Sequence, residues 1–485
     1  MNKQKEERSE NLFKSSGAEN HIKPKALTSL DLHLSLNPSS DLDFNLSSNL
    51  NPAPDLGSSL IQTSNLGGLG RDSDSDPDLN SDLDLHSNSD LIPNLQELNT
   101  RLINFVDKMD KACSGWQHAI IFGKVNQFYF TGTMQDAFLV IKPDGNLYYF
   151  VRKSFERARL ESPIKNIFQI RSYRDARDKL GQNLGRVYID QLNTTMDIWS
   201  KFSSAFTYTS FKSLDYALLQ TRAVKSYFEL SIMRRSGQIH NRVLSQLAPA
   251  LLKEGINEAD FTASLFKEMV ASGYQGLSRF SMFETDMVAG QIAFGDNSIY
   301  PTSFDGPGGN LGVHPAVPTL GSARRFLQKG DHVFIDVAFG IAGYHTDKTV
   351  LYSYGLPAPD KAHRAHQQCV DIQNMAASML KPGEIPSKIY ETIIKEVPRD
   401  FLPGFMGRPG HEVRFLGHGI GLNVDEYPVI ASSFHEPLEE NMVIALEPKK
   451  TILGYGLVGT EDTYVVTKGG GQCITGQPSP IRTID

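Results

Sequence analysis

Five side chains of metal-ligand type, Asp336, Asp347, His418, Glu447 and Glu461, recur through the last third of the 485-residue chain. Each has a short motif of its own: F-I-D-V-A-F-G around Asp336, H-T-D-K-T around Asp347, G-H-G-I-G-L around His418, A-L-E-P around Glu447 and G-T-E-D-T around Glu461. Four carboxylates and an imidazole on otherwise apolar, strand-like segments repel one another unless a cation neutralises them. A pair of divalent metal ions is the expected neutraliser, and the chemistry that follows is hydrolysis. An imidazole among carboxylates suits Mn, Co, Fe or Zn better than Mg or Ca, with Mn or Co favoured here. Taken singly, each residue has an ordinary role: an Asp at a strand end caps a turn, a Glu before Pro is solvated, a His between glycines lies in a loop. It is the set, in this order, that points to a metal centre.

The elements that must position these groups are readable as strands. His332–Ala338 and Tyr344–Leu351 are rich in β-formers, with Gly340-Ile341-Ala342-Gly343 between them. A reversal on Ile341-Ala342 puts Asp336 directly opposite Asp347, with Cβ atoms about 5 Å apart. Met442–Glu447 and Val458–Val466 form a second such pair around Gly454 and Gly456, in which Glu447 faces Glu461. Gly417, Gly419 and Gly421 let the backbone around His418 approach a crowded centre. Helical spacing is expected over Leu95–Ala112, Ile232–Leu252, Asn257–Ala271 with Asn257 as N-cap, and from Asp360 to Leu380. Short buried strands are expected at Ala119–Phe122, Phe128–Phe130, Ala137–Ile141 and Leu147–Val151, with a tight turn at Pro143–Asn146.

The order Asp, Asp, G-H-G-x-G, E-P, E-D closely resembles that of the pita-bread metallopeptidases: methionine aminopeptidase, aminopeptidase P and prolidase. The likeness runs from about Leu98 to the C-terminus. Phe128-Tyr-Phe-Thr-Gly-Thr133 is similar to a signature of the amino-terminal domain of prolidase and creatinase relatives, and Arg222–Glu229 to the start of the catalytic domain. The fold implied is α+β: a tail at residues 1–94, a creatinase/prolidase-like α/β domain at 95–222 and a pita-bread catalytic domain at 223–485. The resemblance implies that Asp336, Asp347 and Glu461 hold one ion and Asp347, His418, Glu447 and Glu461 the other, with Asp347 and Glu461 bridging. It implies that His314, in Gly312-Val-His-Pro315, contacts substrate near the scissile bond, and that Glu447 relays a proton. Paired cations about 3.5 Å apart would supply hydroxide near neutral pH and stabilise an oxyanion. The expected activity is that of an Xaa-Pro-type aminopeptidase on peptides. A prolidase acting on dipeptides and a non-enzymatic pita-bread peptide-binding protein are the alternatives. Creatinase lacks the ligand set, and methionine aminopeptidase lacks the extra domain.

Three positions depart from the aminopeptidase P and prolidase pattern. Arg414 stands four residues before His418 where a histidine is usual, Asp425 replaces a second histidine, and Gly459 replaces an arginine. Arg414 and Asp425 are therefore candidate substrate-binding residues, by an Asp425 contact with a substrate amine or through an Arg414–Asp425 pair. His411 is read as a loop histidine.

Composition agrees. A hydrophobic content of 40% supports sizeable cores, and a formal charge of −7 gives no electrostatic reason to expect nucleic acid or an anionic membrane as partner. Three cysteines, Cys113, Cys369 and Cys473, have neither metal nor C-x-x-C spacing, so a reducing cytoplasm is expected. No apolar run reaches the roughly 18 residues of a membrane span, nor is there the apolar core of a signal peptide. The amino-terminal domain is of a kind that covers the active-site mouth and mediates dimer contacts, so a homodimer is expected. Up to about Asn94 the chain is built of Ser, Asn, Asp and Leu in near-repeats such as Asp41-Leu-Asp-Phe44, too dilute in apolar residues to close a core, and is read as a disordered tail. Deleting residues 1–88 is accordingly expected to leave both melting temperature and peptidase activity unchanged. A large fall in either would show that the tail packs on the body.

Overall fold

The computed structural model describes residues 91–285 and 287–485. Apart from residues 91–94, the expected tail lies outside them. Asn94 accepts a hydrogen bond from the Glu97 N–H and starts the helix Leu95–Ala112, whose Leu98, Phe105 and Met109 are buried on one face. A six-stranded mixed sheet follows, in the order β4-β3-β2-β1-β5-β6. Its strands are β1 (His118–Ile121), β2 (Asp136–Ile141), β3 (Leu147–Lys153), β4 (Ile167–Gln169), β5 (Arg186–Ile189) and β6 (Ser210–Ser213). The turn between β2 and β3 closes through the Gly145 N–H on Lys142 O, with Gly145 at φ +78°. One face of the sheet packs a cluster of rings, among them Phe122, Phe138, Phe150, Tyr173 and Phe202.

Phe128–Phe130 is not a strand. It lies in the helix Lys124–Thr131, closed by Gly132 in the left-handed region at φ +72°. Strands β1 and β2 already pair with each other, Ile120 opposite Val140, so the ladder has no place for a strand between them. Helix formation instead buries Tyr129 and Phe130 and turns the Gln127 amide onto Phe122 O and Ala137 O.

The second half begins where Ser226 and Glu229 cap each other's backbone N–H groups, the S-x-x-E device that starts the helix Tyr227–Arg242. This helix continues through a π turn at Val243–Leu247 to Leu251, so the expected single helix is present with a widened turn in it. Asn257 caps Glu258–Ala271 through the Asp260 N–H, as expected. A four-stranded sheet of order β17-β9-β8-β7 is built from β7 (Gly290–Phe294), β8 (His332–Ile341), β9 (Tyr344–Tyr354) and β17 (Arg482–Ile484). A five-stranded sheet of order β11-β10-β12-β15-β16 is built from β10 (Phe415–Gly419), β11 (Glu426–Ala431), β12 (Val443–Leu446), β15 (Asp462–Thr467) and β16 (Gly470–Cys473). A short hairpin, β13 (Lys449–Ile452) with β14 (Gly456–Gly459), extends from β12 and β15. The helix Asp360–Ser378 packs on β13, β14 and β16, and Pro386–Glu396 on β11. This is the α+β architecture expected.

Buried charge joins the two halves. Glu426 pairs with Arg222, at the end of the helix Asp215–Ala223, and with Lys225 at 3.2 Å, and all three are buried. Arg222 also donates to Asn126 at 2.8 Å. Burial alone would push the Glu426 carboxyl up, but Arg222 and Lys225 outweigh it and hold it down at about 2. A carboxyl held below its ordinary value of 4.5 contributes its full stabilisation above that pH and loses it as pH falls toward about 2. Glu426→Gln is therefore expected to cost about 3 kcal/mol near neutral pH, the cost of breaking a buried pair. The gap from wild type, read from urea midpoints, should narrow as pH is lowered below 4.5. A gap that is constant with pH would show that the carboxylate charge is not what stabilises.

Candidate active site

The two hairpins that carry the carboxylates meet at Thr349 and Glu461, where the Thr349 N–H donates to Glu461 O at 3.1 Å. The first hairpin turns on Ala342-Gly343, both at positive φ (+51° and +93°), rather than on Ile341-Ala342. A two-residue turn with both central residues in that region takes glycine readily at its second position, and this sets the register. Asp336 thus pairs with Thr349 and Asp347 with Ala338, which corrects the expected direct pairing. The two aspartates still share a face of the sheet as diagonal neighbours. In the second hairpin one register runs through both ladders, Leu446 opposite Asp462 and Lys449 opposite Gly459, so Glu447 lies opposite Glu461 as expected.

His418 reaches the same place from β10, where it pairs with Ala445 of β12. Its Nδ1 donates to Gly419 O at 3.0 Å, which leaves Nε2 facing the carboxylates, 3.5 Å from Glu447 Oε1 and 3.8 Å from Glu461 Oε1. Ligand atoms of Asp347, His418 and Glu461 lie within 4.8 Å of one another, all three residues buried. Burial first, then the negative charge of Glu461 and Asp336, pushes the Asp347 carboxyl well above the usual range. Burial likewise raises Asp336, to about 7, with Lys449 pulling it down and Glu461 pushing it up.

Lys449 was not anticipated. Its side chain is 0% exposed, and its Nζ lies 2.9 Å from Asp336 Oδ2, 3.0 Å from Glu447 Oε2 and 2.7 Å from Glu461 Oε2. Both glutamates thus turn one oxygen to the ammonium and the other to the imidazole. A lysine two residues after Glu447 on an extended segment shares its face, and that period was the available signal. The donor set of Asp347, His418 and Glu461 fits one borderline divalent ion. The Asp336, Glu447 and Glu461 side of the cluster is filled by an ammonium and does not fit a second ion as it stands.

The candidate substrate residues are placed differently. His314 is exposed on a turn that its own ring closes, Nδ1 accepting from the Ala316 N–H at 3.1 Å. Asp425 Oδ2 accepts from Ser281 Oγ (2.8 Å) and the Met282 N–H (3.0 Å), and Oδ1 from the Ser281 N–H, so it holds the 281–282 loop. Arg414 is exposed and forms no ion pair with Asp425 or any other described residue.

Residues 231–468 match metallopeptidase family M24, and residues 101–224 match the creatinase/prolidase N-terminal domain. The chain carries a family M24 metallopeptidase domain. It is 24% identical over 389 residues to an uncharacterized peptidase of Staphylococcus aureus (strain USA300), covering 78% of this chain and 99% of that one. The fold is shared with a Bacillus anthracis Xaa-Pro dipeptidase (TM-score 0.64, 18% identity, 80% of this chain and 99% of that one). It is shared also with an X-Pro aminopeptidase of Thermotoga maritima MSB8 (TM-score 0.62, 20% identity, 76% and 98%). The family matches support a metallopeptidase that acts on peptides.

Close backbone packing around His418 is itself testable. A Cβ at Gly417 would meet Ala445 O at 2.1 Å, so the β10–β12 ladder must open to admit one. Gly417→Ala is expected to cost about 1–3 kcal/mol in a thermal melt, the range for forced overpacking. An unchanged melting temperature would mean that the strand shifts freely.

Proposed function

We propose that this M24 domain hydrolyses the first peptide bond of peptides, with Pro or a small residue at the second position. The observation that carries the reading is the convergence of Asp347, His418 and Glu461 within 4.8 Å at the meeting of the two hairpins. A divalent ion held there would lower the pKa of water and polarise the scissile carbonyl. The chain's own groups do the rest. The Gly419 carbonyl fixes the His418 tautomer, so that Nε2 is the ligand atom. Thr463 Oγ accepts from the Asp347 N–H at 2.9 Å and donates to Asp347 O at 3.0 Å, which pins the aspartate. Glu447 Oε1, the oxygen that Lys449 does not hold, is placed to take a proton and return it to the leaving amine. His314 lies on an exposed turn from which it can meet bound peptide.

Longer peptides are the preferred substrates in this reading. Asp425 is committed to the 281–282 loop, while the exposed Arg414 precedes the strand that carries His418. A free cation beside that strand suits backbone carbonyls or a more distant carboxylate. Mn or Co as the ion, a homodimer and a cytoplasmic location belong to the same reading. They are supported by the donor set, the amino-terminal domain and three cysteines without disulfides. No helix of the described residues is long and apolar enough to cross a membrane.

Two measurements test the proposal. Asp347→Ala and Glu461→Ala should each lower kcat/KM on the order of 100-fold or more with the fold retained. Wild type should cleave Ala-Pro-Ala with higher kcat/KM than Ala-Pro. Equal or better cleavage of the dipeptide would make the chain a prolidase, and no cleavage of either by the ion-loaded protein would overturn the peptidase reading.

A further inference from the structure

An ammonium has three N–H donors, and at Lys449 each meets a different carboxylate: Asp336, Glu447 and Glu461. The position is built for it. Gly459, opposite Lys449 across the β13–β14 ladder, has φ +143°, and a Cβ there would stand 2.6 Å from Lys449 Cα and 3.1 Å from its Cγ. The Phe334 ring lies 6.0 Å from Nζ. A fully buried lysine between a β-ladder and an aromatic ring has no open solvent to retract into. Its neighbours divide the centre in two, since Glu447 and Glu461 each turn Oε2 to Lys449 and Oε1 to His418. The grouping of ligand atoms within 4.8 Å takes in Asp347, His418 and Glu461 but neither Asp336 nor Glu447.

From this geometry we infer that the Lys449 ammonium replaces one cation of an expected pair, so that the centre takes a single divalent ion on its imidazole side. The inference rests on the reading of Asp347, His418 and Glu461 as ion ligands. Charge balance agrees: four carboxylates, one ammonium and one divalent ion leave a single negative charge, whereas a second ion beside the lysine would put like charges in contact within a buried site. Lys449 is on this view a positioning residue. Its three protons are committed to carboxylates, so it offers none to substrate, and it holds Asp336, Glu447 and Glu461 in place as an ion would.

The test counts ions without substrate. The full-length chain, stripped with chelator, is titrated with Mn(II) by calorimetry, and bound metal is measured by elemental analysis. Wild type is expected to bind about one ion per chain, and Lys449→Gly about two, with a larger rise of melting temperature on Mn(II) addition than wild type shows. Two ions in wild type would overturn the inference, as would one ion in a folded Lys449→Gly protein. If the variant fails to fold, the wild-type count decides alone. No ion in wild type would overturn both this inference and the metal-site reading beneath it. One ion with no peptide cleaved would overturn the peptidase reading and leave the role of Lys449 standing.

Discussion

Negative charge concentrated in a buried volume is the constraint around which the catalytic half is arranged. Asp336, Asp347, Glu447 and Glu461 come from two hairpins that meet where the Thr349 N–H bonds Glu461 O, and water is largely excluded from where they face each other. Burial and mutual repulsion raise Asp336 and Asp347 well above the ordinary aspartate range. Such a set persists as carboxylates only if positive charge is placed among them. A lysine on the same strand face as Glu447 supplies it from within the fold. The strand alternation repeats the device one layer behind, where Lys348 and Asp462, the chain neighbours of Asp347 and Glu461, pair on the opposite face of the hairpins. Thr475, two residues past β16, donates to Asp462 there at 3.0 Å, which ties this second pair to the segment that follows β16.

The same reliance on paired buried charge fixes the amino-terminal domain to the catalytic one. Arg222 and Lys225, at the junction of the halves, converge on Glu426 next to Asp425. Arg101 lies with its guanidinium 4.6 Å from the Tyr129 ring centre and donates to Tyr129 O, while Glu229 accepts from Tyr344 at 2.9 Å. Tyr344 is the first residue of the strand that carries Asp347, so the junction and the centre share an element. Hydrogen-bonded charges of this kind are poor sources of net stability but strong setters of orientation, because only one arrangement satisfies them.

What could be read in the sequence follows from how local each signal is. The five ligand-type residues and the two hairpins are legible because β-propensity, glycines and motif order all act over a few residues. Register is harder, since the first hairpin slips by a residue according to which dipeptide takes the turn, and Ala342-Gly343 wins through the glycine. The sliding keeps Asp336 and Asp347 on one face because the offset between them changes by an even number of residues. Phe128–Phe130 misleads for the opposite reason. Three aromatics in a row read as strand, but the place they would take in the sheet is occupied by the β1–β2 pairing, a fact no local window contains. Asp425 is also non-local, its partners Ser281 and Met282 lying about 140 residues away.

Lys449 shows a different limit. A lysine after Glu-Pro reads as a solvated strand end, because lysine is rarely buried without a partner. Its burial depends on the carboxylates of Asp336, Glu447 and Glu461 and on Gly459 clearing the backbone beside it, so the meaning of the residue is held by positions up to 113 residues away. Gly459, read from the sequence as a departure from an expected arginine, is in the fold the position that leaves room beside Lys449. A point charge with three rotatable donors can be enclosed by three carboxylates, where a planar fork favours bidentate pairing with one. The form of the cation therefore decides which carboxylate oxygens it leaves free, and here Glu447 and Glu461 each keep Oε1 turned to His418 while Oε2 faces Lys449.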